Sequence, residues 1–250
     1  MLKALVHECV PPIIARGLDA TALALFRRGI VYWRGVPLPA ALFGGAASAD
    51  GPEAQNLSVY WSDQMAKDLE AWGEGTTWRE ILFFLSLAKG RILDIACGTG
   101  KVMELLSREF PDCDLHGIDI SDLLIGKAME RGIAPEKLRV GDATQTGYPD
   151  DYFECSYSIG SLEHFTEDGI DEFLKECARI TRITSFHMIP TSRSRDDDGW
   201  ITTTQSYFNN SPAWWMKKFG ARFERVNCFD SHWGSILSVG KWFICSNPRR

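Results

Sequence analysis

The sequence predicts an α/β fold in which helices cover both faces of a doubly wound, mostly parallel, seven-stranded sheet. Two observations support this. From Arg91 onward, short apolar runs alternate with amphipathic segments, which is typical of parallel strands joined by crossover helices. The last two apolar runs are separated only by a short polar loop around Asp230–Gly234, which predicts an antiparallel pair that ends the sheet.

The N-terminal part differs in pattern from the rest, and we divide the chain at residue 56. Residues 1–56 are predicted to form a helical or irregular cap, because a short apolar helical stripe stops at Pro11-Pro12 and a loop rich in Pro and Gly follows. An interfacial amphipathic segment or a dimer contact is the alternative. Basic residues are too few there to favour a membrane surface. Residues 57–250 are predicted to form the main domain.

Two helices are predicted between residues 57 and 89, ahead of the first strand. Tyr60 and Trp61 open the first, and Thr76 or Thr77 can cap the second. Strands are then predicted at 91–95, 114–118, 137–140, 153–159, 184–189, 222–229 and 236–246. Helices are predicted near 100–109, 122–131 and 168–180.

The loop after the first of these strands is the strongest indication of a ligand site. Gly98 and Gly100 leave the backbone open to a ligand, and the free N–H groups of the following helix favour anionic groups. A dinucleotide fingerprint would have a third glycine where this chain has Met103. Asp94, at the end of the strand, would repel a pyrophosphate but suits a cationic ligand.

Four segments in this order resemble the motifs of class I S-adenosylmethionine-dependent methyltransferases. Leu93–Gly100 is similar to their first motif, with Ala96 where many members have glycine. The second, third and fourth motifs correspond to His116–Ser121, Val140–Ala143 and Phe153–Phe165, and the fourth has Glu154 where many members have aspartate. The resemblance covers roughly residues 57–246 and implies a Rossmann-like methyltransferase fold.

The resemblance also implies a set of residues that bind S-adenosylmethionine or its product, S-adenosylhomocysteine. Asp119 lies 21 residues after Gly98, a spacing that suits a carboxylate on the two ribose hydroxyls. A helix cap or a solvated surface group is the alternative for each acid. The expected cofactor-binding residues are Tyr60, Asp94, Ala96, Cys97, Gly98, Gly100, Asp119, Ile120, Asp142, Ala143 and Ser158.

Candidate residues for catalysis and for substrate binding are fewer. His164 follows the fourth motif's strand at the edge where α/β sheets bind ligands, so it is our candidate base, with a structural hydrogen bond as the alternative. Arg193 and Arg195 lie in a long polar loop and can hold a phosphate or carboxylate, unless they pair with the aspartates beside them. Tyr60 and Trp61 either fold over the cofactor or pack in the core.

Composition excludes several classes of partner. The net charge of −6 argues against nucleic acid held by bulk electrostatics. Seven cysteines without a C-x-x-C pair indicate reduced thiols, a cytoplasmic location and no metal site. The sequence has no run of about 18 apolar residues, so no membrane-spanning helix is expected. The N-terminus also lacks the layout of a signal peptide. A homodimer is compatible with the sequence.

The predicted function is methyl transfer from S-adenosylmethionine to a small-molecule or sugar- or lipid-linked acceptor. An oxygen acceptor is favoured because the chain offers candidate bases for a hydroxyl proton. The resemblance is to bacterial members, some of them connected with surface polysaccharides. Two alternatives stay open: a nicotinamide-dependent oxidoreductase, and a non-catalytic module that binds S-adenosylmethionine.

Overall fold

The structure is a computed structural model that describes residues 30–33, 36–39, 55–203 and 205–248. Its strands are β1 Ile30–Trp33, β2 Val36–Pro39, β3 Arg91–Ile95, β4 Asp114–Asp119, β5 Leu138–Val140, β6 Phe153–Ile159, β7 Thr181–Ser192, β8 Trp200–Ile201, β9 Tyr207–Phe208, β10 Phe223–Gly234 and β11 Ser238–Pro248. Its α-helices are α1 Asp63–Ala71, α2 Thr77–Leu85, α3 Lys101–Glu109, α4 Asp122–Glu130, α5 Glu167–Ile180 and α6 Pro212–Gly220. Short 3₁₀ helices lie at Leu57–Trp61, Pro135–Lys137 and Leu162–His164.

A seven-stranded sheet with the order β10-β11-β7-β6-β3-β4-β5 forms the centre of the molecule. Strands β7, β6, β3, β4 and β5 run parallel to one another, whereas β11 is antiparallel to both β7 and β10. The predicted fold class is therefore confirmed. Because the order reverses beside β3, the carboxyl ends of β3, β4 and β6 open onto one crevice.

Alternate side chains of the central strands enter cores on opposite faces of the sheet. On β3, Leu93 packs with residues of α5 and α6, while its neighbour Ile92 packs with residues of α2, α3 and α4. Both side chains are buried. A strand that is buried on both faces is expected to be apolar throughout, which explains why the sequence shows an unbroken apolar run there.

The observed elements differ from the predicted ones mainly at the end of the chain. The stretch Asp230–Gly234, predicted to be a loop, belongs to β10, and the turn lies at 235–237. Glu80 on α2 holds this stretch extended, since it accepts hydrogen bonds from Ser231 Oγ (2.6 Å) and the His232 backbone N–H (2.7 Å). The prediction also missed α6 and the short strands β8 and β9.

The predicted N-terminal cap lies mostly outside the described residues. Within it, β1 and β2 pair antiparallel as a two-stranded sheet. The described residues that follow form the 3₁₀ helix Leu57–Trp61 and then α1 and α2, which together reach the crevice.

Candidate functional site

A cavity of about 250 Å³ lies at the carboxyl ends of β3, β4, β5 and β6. Helical residues from before the sheet and Gln205 complete its wall. The predicted cofactor residues in this wall are Tyr60, Asp94, Ala96, Cys97, Gly98, Asp119, Ile120, Asp142 and Ala143. Segments that are far apart in sequence thus meet at one site, as the order of the motifs predicts.

The loop between β3 and α3 has a backbone that few residue types adopt. Ala96, Gly98 and Gly100 have φ values of +61°, +55° and +72°. Glycine takes this conformation without strain, whereas Ala96 takes it at a cost. Gly98 lines the cavity, while Gly100 does not: it precedes α3 and packs against Ala128 and Ile133.

Asp119, at the end of β4, joins this loop to the next strand. Its Oδ2 accepts a hydrogen bond from the Gly98 backbone N–H (2.8 Å), and its Oδ1 accepts one from the Ser121 N–H (2.9 Å). Burial raises the pKa of the Asp119 carboxyl, and these two donors oppose that effect. Each oxygen keeps a second lone pair, so Asp119 can still accept hydrogen bonds from two hydroxyl groups of a ligand.

Asp94 gives the cavity a second buried carboxyl. Its Oδ2 accepts a hydrogen bond from the Tyr157 hydroxyl (2.8 Å). Burial raises the pKa of Asp94 well above its usual value, and the charge of Asp119 adds to this effect. A cationic group bound beside Asp94 would favour its ionised form, since opposite charges lower the pKa of a carboxyl.

The third motif lies on the far side of the same cavity. Asp142 Oδ1 accepts hydrogen bonds from the backbone N–H and the hydroxyl of Thr144, both at 2.7 Å. These bonds fix the turn after β5 and hold Asp142 in the cavity wall. Ala143 is buried against the core that contains Ile118.

The 3₁₀ helix Leu57–Trp61 closes one side of the cavity. The Ser121 hydroxyl donates to the Tyr60 carbonyl (2.8 Å), which holds this helix on the β4–α4 junction. Burial raises the pKa of the Tyr60 phenol to about 12, so it stays protonated. Gln205 donates to this phenol (3.4 Å). Trp61 is not in the wall, and its indole donates to Asp122 instead (2.7 Å).

Like Gly100, the predicted residues Ser158 and His164 do not line the cavity. The Ser158 hydroxyl is fully buried and bonds to His187 Nδ1 (2.8 Å). The Nδ1 of His164 bonds to the Ser206 carbonyl oxygen (2.9 Å), and burial lowers the pKa of this imidazole. This arrangement matches the structural alternative for His164.

Arg193 and Arg195 line a different cavity, of about 830 Å³, between the end of β7 and the β10–β11 hairpin. The Arg193 guanidinium donates to the Ser235 carbonyl (2.7 Å), so it stabilises the hairpin turn. Neither arginine reaches the first cavity.

Sequence reasoning missed Gln205 and Glu163 as candidates. Gln205 lines the first cavity from a segment with no motif of its own. Glu163 is buried within the 3₁₀ helix Leu162–His164, which the fourth motif contains. A charged residue between apolar Leu162 and His164, with Phe165 next, was the signal that could have found it.

The described residues contain neither a helix that is long and apolar enough to cross a membrane nor a group of three or more potential metal ligands. The cytoplasmic location and the homodimer stay predictions.

Comparison with known proteins finds similarity to methyltransferases. Residues 92–183 match the model of a methyltransferase domain. A demethylmenaquinone methyltransferase of Thermotoga maritima is 27% identical over 131 residues, which are 50% of this chain and 56% of that protein. The chain thus spans little more than half the length of this relative.

Two solved structures share the fold at low sequence identity. One is a Pyrococcus horikoshii protein with a TM-score of 0.53 and 18% identity, covering 76% of this chain and 94% of its own. The other is the Haemonchus contortus phosphoethanolamine N-methyltransferase 2 in complex with S-adenosyl-L-methionine, with a TM-score of 0.54 and 12% identity, covering 68% and 52%. The match of residues 92–183 to a methyltransferase domain supports the family resemblance that the four motifs indicate, and the two solved structures show that the fold is shared.

Proposed function

We propose that this protein transfers the methyl group of S-adenosylmethionine to a small-molecule acceptor. The observation that carries the proposal is the single cavity in which Asp94, Asp119 and Asp142 meet at the ends of three neighbouring strands. Their chemistry fits the donor: Asp94 suits its cationic part, Asp119 suits the ribose hydroxyls, and Asp142 suits the adenine amino group.

When bound, the donor supplies a methyl carbon that its sulfonium already activates. The protein's own task is then to orient the acceptor, and orientation can contribute about 7–11 kcal/mol to such a reaction. The cavity wall includes the rings of Tyr60, Trp72 and Trp78, which supports this role because large rings leave little room for water beside a bound donor.

Calorimetry tests the cofactor. We expect S-adenosylhomocysteine to bind with a micromolar dissociation constant and NADH not to bind. NADH binding without S-adenosylhomocysteine binding would favour the oxidoreductase. Methyl transfer from labelled S-adenosylmethionine to sugars, phosphorylated sugars, phenols or amines would exclude the non-catalytic module. The same panel tests two predictions made from the sequence: that the acceptor is linked to a sugar or lipid, and that the methylated atom is an oxygen.

Asp119→Ala tests the ribose assignment. Losing hydrogen bonds from a buried charged group costs about 1.5–3 kcal/mol, which weakens S-adenosylhomocysteine binding about 10- to 100-fold. The matched control is Asp112→Ala, which removes an exposed carboxyl outside the cavity. Unchanged affinity in a folded Asp119→Ala protein would contradict the assignment.

A further inference from the structure

Glu163 is a buried carboxyl that the fold does not satisfy. Its exposed fraction is 1%, and within residues 55–203 and 205–248 its Oε2 has no hydrogen-bond partner. Burial raises the pKa of Glu163 to about 8. A buried, unsatisfied carboxyl lowers the stability of a protein, so a purely structural role does not explain it.

Glu163 lies next to the first cavity, although its side chain does not line it. Ser161 and Phe165, two residues away on either side, are in the wall. Tyr60 also lines the cavity, and the charge of Glu163 contributes to raising the pKa of the Tyr60 phenol. The carboxyl therefore lies close behind the wall at the β6 end, where a low dielectric makes its charge act strongly.

The groups around Glu163 leave its charge uncompensated. Tyr207 on β9 is a neutral phenol whose pKa Glu163 helps to raise, and His164 Nε2 lies 3.8 Å from Glu163 Oε1. The pKa of His164 is lowered by burial, so this imidazole is neutral near pH 7. From β7, His187 is neutral and bound to Ser158 and Ser185. From α5, Phe173 packs on Phe165. No lysine or arginine of the described chain pairs with Glu163.

We propose that Glu163 makes the β6 end of the cavity selective for an amine, which enters as its ammonium ion and favours the ionised form of Glu163. The ammonium then loses one proton to water, and the nitrogen lone pair forms the N–CH₃ bond while the S–CH₃ bond of the donor breaks, leaving S-adenosylhomocysteine. This inference rests on the proposed function and specifies its substrate class. Asp94 and Asp119 place two further carboxyl groups in the same cavity, where Lys101 is the one cation in the described wall and pairs with Glu104 (3.2 Å). A phosphate or carboxylate acceptor would be repelled there once Glu163 is ionised, which happens above its pKa of about 8 when no cation is bound. The inference replaces the predicted oxygen acceptor, because His164, which motivated that prediction, is bonded to Ser206.

Binding of sinefungin tests this selectivity, and the measurement does not require the acceptor to be known. This analogue of S-adenosylhomocysteine carries a primary amine where the donor carries its transferable methyl group. We would measure the dissociation constants of both compounds by calorimetry at pH 6.5 and pH 8.5. For the wild type we expect a preference for sinefungin that is larger at pH 8.5, where Glu163 is ionised. In Glu163→Gln we expect this preference to fall about tenfold and to lose its pH dependence, with S-adenosylhomocysteine affinity within about twofold of wild type.

The matched control is Glu176→Gln, which neutralises another buried glutamate. Glu176 is hydrogen-bonded to Thr146 and Arg179 away from the cavity wall, so the sinefungin preference should stay. Glu163→Leu repeats the measurement should Glu163→Gln fail to fold. Equal preferences in wild type and both Glu163 variants would overturn the inference and leave the proposed function intact. Wild type that binds neither compound would instead overturn the proposed function.

A panel of matched amines, alcohols and carboxylates gives the second measurement. Methyl transfer to amines that falls at least about tenfold in Glu163→Gln supports the inference. Transfer to an alcohol or carboxylate with no transfer to the matched amine overturns it. Where no compound in the panel is methylated, the sinefungin preference decides.

Discussion

At the scale of single residues, buried acids dominate the site, and their surroundings differ. Asp119 has two backbone donors and Asp94 has a tyrosine hydroxyl, whereas one oxygen of Glu163 has no partner among the described residues. An unsatisfied buried acid costs stability, whereas a well-bonded one does not. Glu163 is therefore the acid whose replacement should stabilise the fold.

Glu163→Gln should raise the free energy of unfolding in a pH-dependent way. The pKa of Glu163 is about 8 in the folded protein, against an ordinary value of 4.5. Between these values the unfolded chain loses this proton while the folded chain keeps it, so wild-type stability falls as pH rises from 4.5 to 8. The loss of stability over this pH range is at most about 5 kcal/mol, because the pKa changes from 4.5 to about 8 and each unit corresponds to about 1.4 kcal/mol.

Urea unfolding of wild type and Glu163→Gln at pH 5, 6.5 and 8 measures this effect. We expect the advantage of Glu163→Gln to grow with pH and to reach at least about 1 kcal/mol at pH 8. Glu176→Gln serves as the control, and it should destabilise because it breaks hydrogen bonds to Thr146 and Arg179. An advantage that does not change with pH would show that Glu163 ionises normally in the folded protein.

The sequence predicted the residues that recur in ordered motifs and missed those that only tertiary packing brings in. Asp94, Asp119 and Asp142 each follow an apolar strand, so their common edge was predictable. Gln205 comes from a segment between two short strands, and no local pattern places it beside Tyr60. The bond of His164 to Ser206 depends on the same segment, so sequence spacing could not separate its two possible roles.

At the scale of elements, the turn from β3 into α3 depends on Gly100. Its φ is +72°, and an added Cβ would lie 2.5 Å from Ile133 Cδ1 and 3.0 Å from Ala128 Cβ. Both the backbone and the space therefore disfavour a side chain. We expect Gly100→Ala to destabilise the protein by at least about 1 kcal/mol, measured by urea unfolding.

Gly126 in the middle of α4 is the matched control. An added Cβ there meets nothing within 4 Å, so Gly126→Ala should stabilise by about 0.5–1 kcal/mol through helix propensity. Equal effects of the two substitutions would show that the conformation of the loop does not need glycine at position 100.

Elements were predictable where the chain alternates regularly and less so where distant contacts set the structure. The helix predicted near 100–109 is observed at Lys101–Glu109, because its apolar spacing is local information. β10 continues through Asp230–Gly234 because it pairs with β11 there and because Glu80, about 150 residues earlier, holds Ser231 and His232.

At the scale of the whole molecule, the helices before the sheet are bound to its last two strands. Glu80 on α2 accepts hydrogen bonds from Ser231 Oγ (2.6 Å) on β10 and from the Trp242 indole N–H (2.7 Å) on β11. Nearby, the rings of Trp72 and Trp233 lie 5.4 Å apart, and Trp72 lines the first cavity. The two ends of the described domain thus meet beside the site.

Glu80→Ala should lower the stability of the fold and weaken ligand binding in the first cavity. It leaves the buried Trp242 indole N–H without its acceptor and removes the bonds to β10, which we expect to cost about 2–4 kcal/mol. The hydrogen bonds to Glu80 hold its pKa below its usual value against the effect of burial. This contribution is therefore present above the ordinary pKa of 4.5 and is lost as pH falls through the lower folded pKa.

Thermal unfolding at pH 7 should show a midpoint lowered by about 5–10 °C in Glu80→Ala, and calorimetry should show weaker S-adenosylhomocysteine binding because Trp72 loses support from Trp233. Glu74→Ala, which removes an exposed glutamate in the turn just before α2, should change neither measurement. If Glu80→Ala lowered the midpoint but left the affinity unchanged, the last hairpin would stabilise the sheet without shaping the cavity. If neither changed, the hydrogen bonds from Ser231, His232 and Trp242 to Glu80 would contribute nothing net to folding. The two ends of the domain would then be linked by ring contacts such as Trp72–Trp233 and Phe84–Trp242.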